Sequence, residues 1–167
     1  QGGRVKPTAR YPASVSAGLA SDERDALLVG FERLVGFDAP LSAARLNAAG
    51  VPFTARGATV EFPGLSSSDP KVTRFAQLLD RDEGVDDGRG VRREVTERVA
   101  THMDGEDRVG FPAVLGDDHP AEVRADLESH LGAAVFEIPM GPPSLPGLRL
   151  EDRLYDALDE AGVRIET

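Results

Sequence analysis

No cysteine occurs among the 167 residues, which excludes disulfides, thiolate metal sites, iron–sulfur ligation and cysteine nucleophiles and leaves cytoplasm as the default compartment. No charge-free apolar run approaches the roughly 20 residues that a membrane-spanning helix needs, so the sequence predicts a soluble domain with no direct membrane insertion. No initiator methionine, basic leader or small-residue cleavage site opens the chain, and Gln1 therefore reads as a cut point in a longer polypeptide. Neither G-x-G-x-x-G after a strand nor G-x-x-x-x-G-K-[ST] anywhere is present, so a complete nucleotide or dinucleotide fold is not expected.

Lysine is almost missing too. Lys6 and Lys71 are the only two; every other one of the 19 basic residues is Arg, against 29 Asp and Glu and a net charge of -10. Such a surface repels phosphate backbones and anionic membranes, and its arginines form no basic stripe, which argues against nucleic-acid binding. An acid-rich, lysine-poor surface suits very salty cytoplasm, where screening over a few ångströms removes self-repulsion. A GC-rich genome favouring Arg, Ala, Gly and Asp is the alternative source of the same bias.

At this length one core is expected. Residues 1–21, with Gly2, Gly3, Pro7 and Pro12 and little periodicity, read as an extended lead-in, and residues 22–167 as a single α/β domain. Ala26 to Phe31 is an apolar run typical of a strand buried on both faces. Asp38-Ala39-Pro40 then opens a helix carried by Leu41, Ala44, Leu46 and Ala48 to Gly50. Val51 to Phe62 reads as a second strand or a hairpin broken near Gly57, followed by the loop Pro63 to Pro70.

Two helices follow, one with Val72, Phe75, Leu78 and Leu79 as its stripe, the other with Val91, Val95, Val99 and Met103 at fourfold spacing. Arg108 to Gly116 reads as a strand, and His119-Pro120 leads a helix through Val123, Leu127 and Leu131 to Gly132. Ala134 to Pro139 is the next strand; a Pro/Gly loop, a helix from about Leu148 to Ala161 and a closing strand Val163 to Ile165 complete the chain. Strands alternating with helices predict a mostly parallel sheet flanked by helices.

Tests for local chemistry are mostly negative. His102, His119 and His130 have no second ligand at metal spacing, and the acidic run Asp80 to Gly88 lacks the glycine and glutamate positions of a calcium loop, so no metal is expected. Ser66, Ser67 and Ser68 lack the strand-to-helix elbow of a nucleophilic serine. One segment stands out, Glu137 to Leu150, whose prolines stiffen the loop leaving a strand while Gly141 and Gly147 permit close approach of a ligand. Loops at the carboxyl ends of strands are where α/β proteins place ligands. Ser144 and the amides after Gly147 are candidates to hold an anion at a helix start, with Arg149 as its partner; the alternative is a rigid crossover in which Arg149 pairs with a neighbouring carboxylate. A self-sufficient enzyme would need converging acids, for which Glu137 and Asp118 are the only candidates. Catalytic residues are not identifiable.

The same segment carries a family likeness. Val135 to Pro139 followed by Pro142-Pro143-Ser144-Leu145-Pro146-Gly147-Leu148-Arg149-Leu150 resembles the P-T-L-P-P-S-V-x-G-[IL]-R-L stretch of the B-type subunit of anaerobic glycerol-3-phosphate dehydrogenase. Gly110 to Gly116 is similar to that family's strand after its helical insert, and Leu28 to Asp38 to its V-V-G-I-x-G-L-x-D-F element, in the same order. Two departures are Met140-Gly141 in place of Thr-Leu and a longer acidic loop around Asp87.

The resemblance implies a Rossmann-like architecture without the dinucleotide fingerprint: the middle, substrate-side or cap segment of a split flavoprotein, from a halophilic archaeon by its charge. It implies FAD or FMN bound mainly outside this segment, and oxidation of glycerol 3-phosphate to dihydroxyacetone phosphate with electrons passed to a quinone. Its implied partners are the remaining flavin-binding part of the same chain, the catalytic A-type subunit and the iron–sulfur C-type subunit, at the inner face of the membrane. The segment alone is expected to be inactive. The reading from a different class is a non-enzymatic interaction domain using the Pro-rich loop 139–147.

Overall fold

A computed structural model describes residues 5–85, 88–142 and 144–163. Four strands, β1 (Ala26–Phe31), β2 (Ala55–Val60), β3 (Arg108–Pro112) and β4 (Ala134–Ile138), form one sheet in the order β2-β1-β3-β4. Every pairing is parallel. The helices are α1 (Ala39–Ala48), α2 (Val72–Arg81), α3 (Val91–Ala100), α4 (Pro120–Leu131) and α5 (Leu145–Glu160).

The alternation of β1 sorts the core. Leu27, Val29 and Phe31 point to one face, where they pack with Phe75 and Leu79 of α2, Val91, Val95 and Val99 of α3, and Val123 and Leu127 of α4. Ala26 and Leu28 point to the other, against Ala39 and Ala43 of α1. The first face is large and aromatic: Phe31 meets Phe62 edge-on at 4.9 Å and stacks near Phe75 at 5.9 Å and Phe111 at 6.0 Å. The second is thin, because α1 lies almost on the sheet. A Cβ at Gly57 would stand 2.5 Å from the Ala39 carbonyl, so only glycine admits this approach.

Gly57 therefore sits within a continuous strand and does not break a hairpin. On α1 the buried residues are Ala39, Ser42 and Ala43, whereas Leu41, counted in the expected apolar set, is largely exposed. Asp38 caps this helix as expected, accepting from the Leu41 N–H at 2.8 Å. α2 and α3 bury most of the expected stripes, Val72 being only partly buried and Met103 lying past the end of α3. β3 ends at Pro112, short of the predicted Gly116, because Val114 and Gly116 turn back in tight bonds to the carbonyls of Pro112 and Val114. α5 begins at Leu145, three residues before the expected start, because Ser144 caps it. The predicted closing strand falls, beyond Val163, outside the described residues.

The lead-in is more ordered than expected. Ala13–Gly18 forms a 3-10 helix, and a Cβ at Gly18 would strike the Phe136 ring at 2.3 Å, which fixes how closely this turn lies on β4. Arg108, fully buried at the start of β3, holds the segment in place. Its guanidinium donates to the carbonyls of Ala17 at 2.9 Å, Leu19 and Asp22 at 3.3 Å, and also Arg24, and lies 4.4 Å above the Phe53 ring. Asp22, 3.6 Å away, balances its charge.

Candidate functional site

The chain runs from β1 outward to β2 and then crosses back to β3 and β4, so its direction switches between β1 and β3. In parallel sheets ligands collect beyond the carboxyl ends of the strands at such a switch. Here that edge comprises the loop after β1 (Glu32 to Asp38), the loop after β3 (Ala113 to His119) and the Pro/Gly loop after β4.

Glu137, in the middle of the apolar β4, is buried and would be costly as a lone charge. It is satisfied on both oxygens. Oε1 accepts from the Leu115 N–H at 3.1 Å and from Arg149 at 3.0 Å, and Oε2 accepts from Arg149 at 2.9 Å. The same guanidinium also donates to the Gly116 carbonyl, so one bidentate pair staples β4, the loop after β3 and the first turns of α5. Arg149 Nε is buried with no hydrogen-bond partner among the described residues.

Asp80, at the end of α2, organises the neighbouring turn. One carboxylate oxygen accepts from the N–H groups of Asp117 at 2.6 Å and Asp118 at 3.0 Å, and the other from His119 at 3.1 Å. These amides precede α4, which starts at Pro120. Gly116 is required there twice over: its φ is +78°, and a Cβ would lie 2.6 Å from Asp80 Oδ1. The turn is crowded with like charge. Burial, the adjacent Asp118 and, further off, Asp80 and Asp152 push the Asp117 carboxyl up, while Arg149 opposes them.

Arg92 of α3 holds the other side of this layer. Buried, it donates to the Leu79 carbonyl at 2.8 Å and reaches Glu122 at 2.9 Å and Asp126 at 2.6 Å on α4.

The three residues picked from the sequence sit close together at this edge but are engaged internally. Ser144 Oγ accepts from the Gly147 N–H at 3.3 Å as the cap of α5. Gly147 is exposed, and a Cβ there would be in ordinary contact with Ser144 Oγ at 3.6 Å. Arg149 pairs with Glu137. Of the sequence candidates for acid chemistry, Glu137 is the buried partner of that pair and Asp118 is exposed beside Asp117. Asp80 and Asp117 carried no signal in the sequence, because their roles arise from a contact between α2 and the distant loop after β3. Glu137 did carry one: a lone acid in the apolar run Ala134 to Ile138, with an arginine shortly after it.

The pyrophosphate of a flavin dinucleotide needs free amides at a helix start and a glycine-rich approach. Two of the four helices that follow a strand have a first-turn amide taken by their own cap, α1 by Asp38 and α5 by Ser144, and the amides just before α4 are taken by Asp80. The described residues do not fit that group. Glycerol 3-phosphate would meet an edge whose loops carry Glu32, Asp38, Asp117 and Asp118, with Arg149 paired to Glu137 and Arg33 donating to the Leu65 and Ser67 carbonyls. Among the described residues no helix is long and apolar enough to cross a membrane, and no group of three or more His, Asp or Glu is placed to hold a metal.

Comparison with known proteins supplies what local geometry does not. A relative from Halobacterium salinarum, named as the B-type subunit of a probable anaerobic glycerol-3-phosphate dehydrogenase, is 64% identical over 169 residues, covering 99% of this chain and 40% of the relative. The B-type subunit of the anaerobic glycerol-3-phosphate dehydrogenase of Pectobacterium atrosepticum is 30% identical over 173 residues, 95% of this chain and 39% of its own length. The chain thus spans about two fifths of the length of these curated relatives. The first of them comes from a salt-loving organism, in keeping with the acid-rich, lysine-poor surface. No solved structure matches the chain. The family model for the FAD binding domain matches residues 1–166, and on that match, together with the parallel α/β sheet, the chain belongs to the FAD-binding domain family.

Proposed function

We propose that this chain is the middle segment of the B-type subunit of a flavin-dependent glycerol-3-phosphate dehydrogenase. In that reading the whole protein oxidises glycerol 3-phosphate to dihydroxyacetone phosphate. The observation that carries the proposal is the 64% identity across 99% of the chain to a protein of that name. The flavin, FAD in preference to FMN given the matching family, supplies the hydride acceptor when bound.

The segment's own residues have a supporting role. The capped starts of α1 and α5 leave the pyrophosphate to the fingerprint-bearing remainder of the polypeptide, and with Arg149 paired to Glu137 the substrate phosphate is left to cations other than Arg149. Ser144, Gly147 and Arg149 face the flavin or substrate. Gly147 offers a surface without a side chain, Ser144 fixes the start of α5, and Arg149 acts as a positioning residue by locking α5 to β4 through Glu137. The partners in this reading are the rest of the same chain, the catalytic A-type subunit and the iron–sulfur C-type subunit, the last carrying electrons to quinone at the cytoplasmic face of the membrane. The 167-residue segment alone is inactive.

Calorimetry in molar salt tests this, titrating FAD and glycerol 3-phosphate into the segment and into the full-length protein. Flavin held by the full-length protein and not by the segment is the expected result. A segment that folds while neither protein binds flavin overturns the proposal and favours a non-enzymatic domain acting through the loop 139–147.

A further inference from the structure

α5 is built to be covered on a side that the domain does not reach. It is capped at both ends: Ser144 closes its start, and at its close Gly162, with φ +72°, and Val163 return their N–H groups to the carbonyls of Asp159 and Leu158 at 2.9 Å each. The sequence therefore specifies a helix of 16 residues, about 24 Å long. Yet only Leu145 of it is buried, and every residue from 151 to 160 is exposed. A solitary helix of this length is marginal in water, and its stability ordinarily comes from packing an apolar face.

Such a face exists. At about 100° per residue, Leu150, Leu154 and Leu158 form one line, flanked by Tyr155. Leu150 is 59% and Leu154 55% exposed. Leu145 and Arg149, which tie the first turns to the domain, lie on nearly the opposite side, and that side continues as Asp152, Asp156 and Asp159. The domain-facing line is thus acidic beyond its first turns, and the apolar line is turned outward. Folding back onto its own sheet would bury the carboxylates and leave the leucines in water.

We propose that the outward leucine face of α5 is the docking surface for the remainder of the parent polypeptide, the part that in the relatives lies outside the matched two fifths. The helix is then a rigid spacer clamped between two bodies, its Arg149 end fixed to this sheet and its Leu150, Leu154 and Leu158 line fixed to the flavin-binding remainder. The choice of occupant follows from length: the match covers 40% of the first relative, and the rest of that chain is enough for a second body. This rests on the reading of the chain as a segment of a longer polypeptide.

Hydrogen exchange on the full-length protein, monomeric and in molar salt, tests it. The amides of residues 150–160 are expected to exchange as slowly as those of α4. In the Leu154→Arg/Leu158→Arg variant, exchange of α5 is expected to speed up by about tenfold or more while α4 is unchanged. Unprotected α5 amides in the wild-type monomer overturn the proposal. So does protection that appears only when a second copy or the other subunits are added. Because the wild-type measurement decides by itself, a variant that fails to fold leaves the test intact. Glycerol 3-phosphate oxidation by the same preparation, reconstituted with its partner subunits, is scored separately: a protected α5 without activity overturns the proposed function and leaves the docking surface standing.

Discussion

Glu137 of β4 and Arg149 of α5 face each other through two parallel hydrogen bonds of 2.9 and 3.0 Å, the carboxylate almost wholly buried and the guanidinium nearly so. Together with the buried Leu145, the pair joins α5 to the sheet. Glu137→Gln leaves the arginine short of a counter-charge, and breaking a buried pair from one side costs roughly 3–5 kcal/mol. The paired change Glu137→Leu with Arg149→Leu is expected to cost much less than the two single changes together. Urea unfolding of the four proteins measures the coupling; additive losses would show that the pair does not act as a unit.

Arg108 makes its hydrogen bonds to backbone carbonyls, with Asp22 3.6 Å away as its counter-charge, and by them the lead-in is held. Arg108→Met removes the donors to Ala17, Leu19, Asp22 and Arg24 and should lower stability by about 3 kcal/mol. Limited proteolysis distinguishes this from a general loss: cleavage should concentrate between residues 10 and 25 and leave the rest of the chain intact.

The acid side of the pH profile should involve Asp22. Its bonds from Arg24, aided by Arg108 and opposed by burial, lower its pKa from 3.8 to about 2. The folded state therefore holds the carboxylate more strongly than the unfolded one. The resulting stabilisation is complete above about pH 4 and is lost as pH falls toward 2. Asp22→Asn should flatten that part of the curve in thermal unfolding scans between about pH 2 and 5 and leave the alkaline limb unchanged.

Asp117 should behave with reversed sign. Burial and its acidic neighbours raise its pKa, so the folded state binds the proton more readily than the unfolded chain, and stability falls as pH rises through the interval between the two values. Asp117→Asn is expected to stabilise the protein at neutral pH. The gain should be larger in low salt than in molar salt, because salt screens Asp118, Asp80 and Asp152. Equal gains at both ionic strengths would mean that repulsion is not the cause.

Gly57→Ala puts a methyl group where the Ala39 carbonyl and Pro40 nitrogen already stand at 2.5 Å. Neither can move without lifting α1 from the sheet. A loss of about 1–3 kcal/mol is expected, with Asp38 and the rest of the loop after β1 shifting with the helix, visible as chemical-shift changes confined to residues 32–50.

The sequence alone determined most of the elements, because each is specified by local physics. Continuous burial in β1, the Asp38 cap with Pro40, the stripes of α2 and α3 and the Gly132 stop are all legible one turn at a time. It also pointed to the family, through residues 135–150 and two further stretches in the same order. What it left undecided depended on distant contacts. Whether Gly57 breaks a hairpin or admits a helix was settled by the approach of Ala39; the end of β3 by a turn that Asp80 organises from α2; and the engagement of Arg149 by Glu137 across the edge of the sheet. Periodicity reports which side of an element is apolar, but not which element, or which other body, will cover it. α5 shows this most directly, since its leucine line is plain in the sequence and only the tertiary structure reveals that it points away from its own domain.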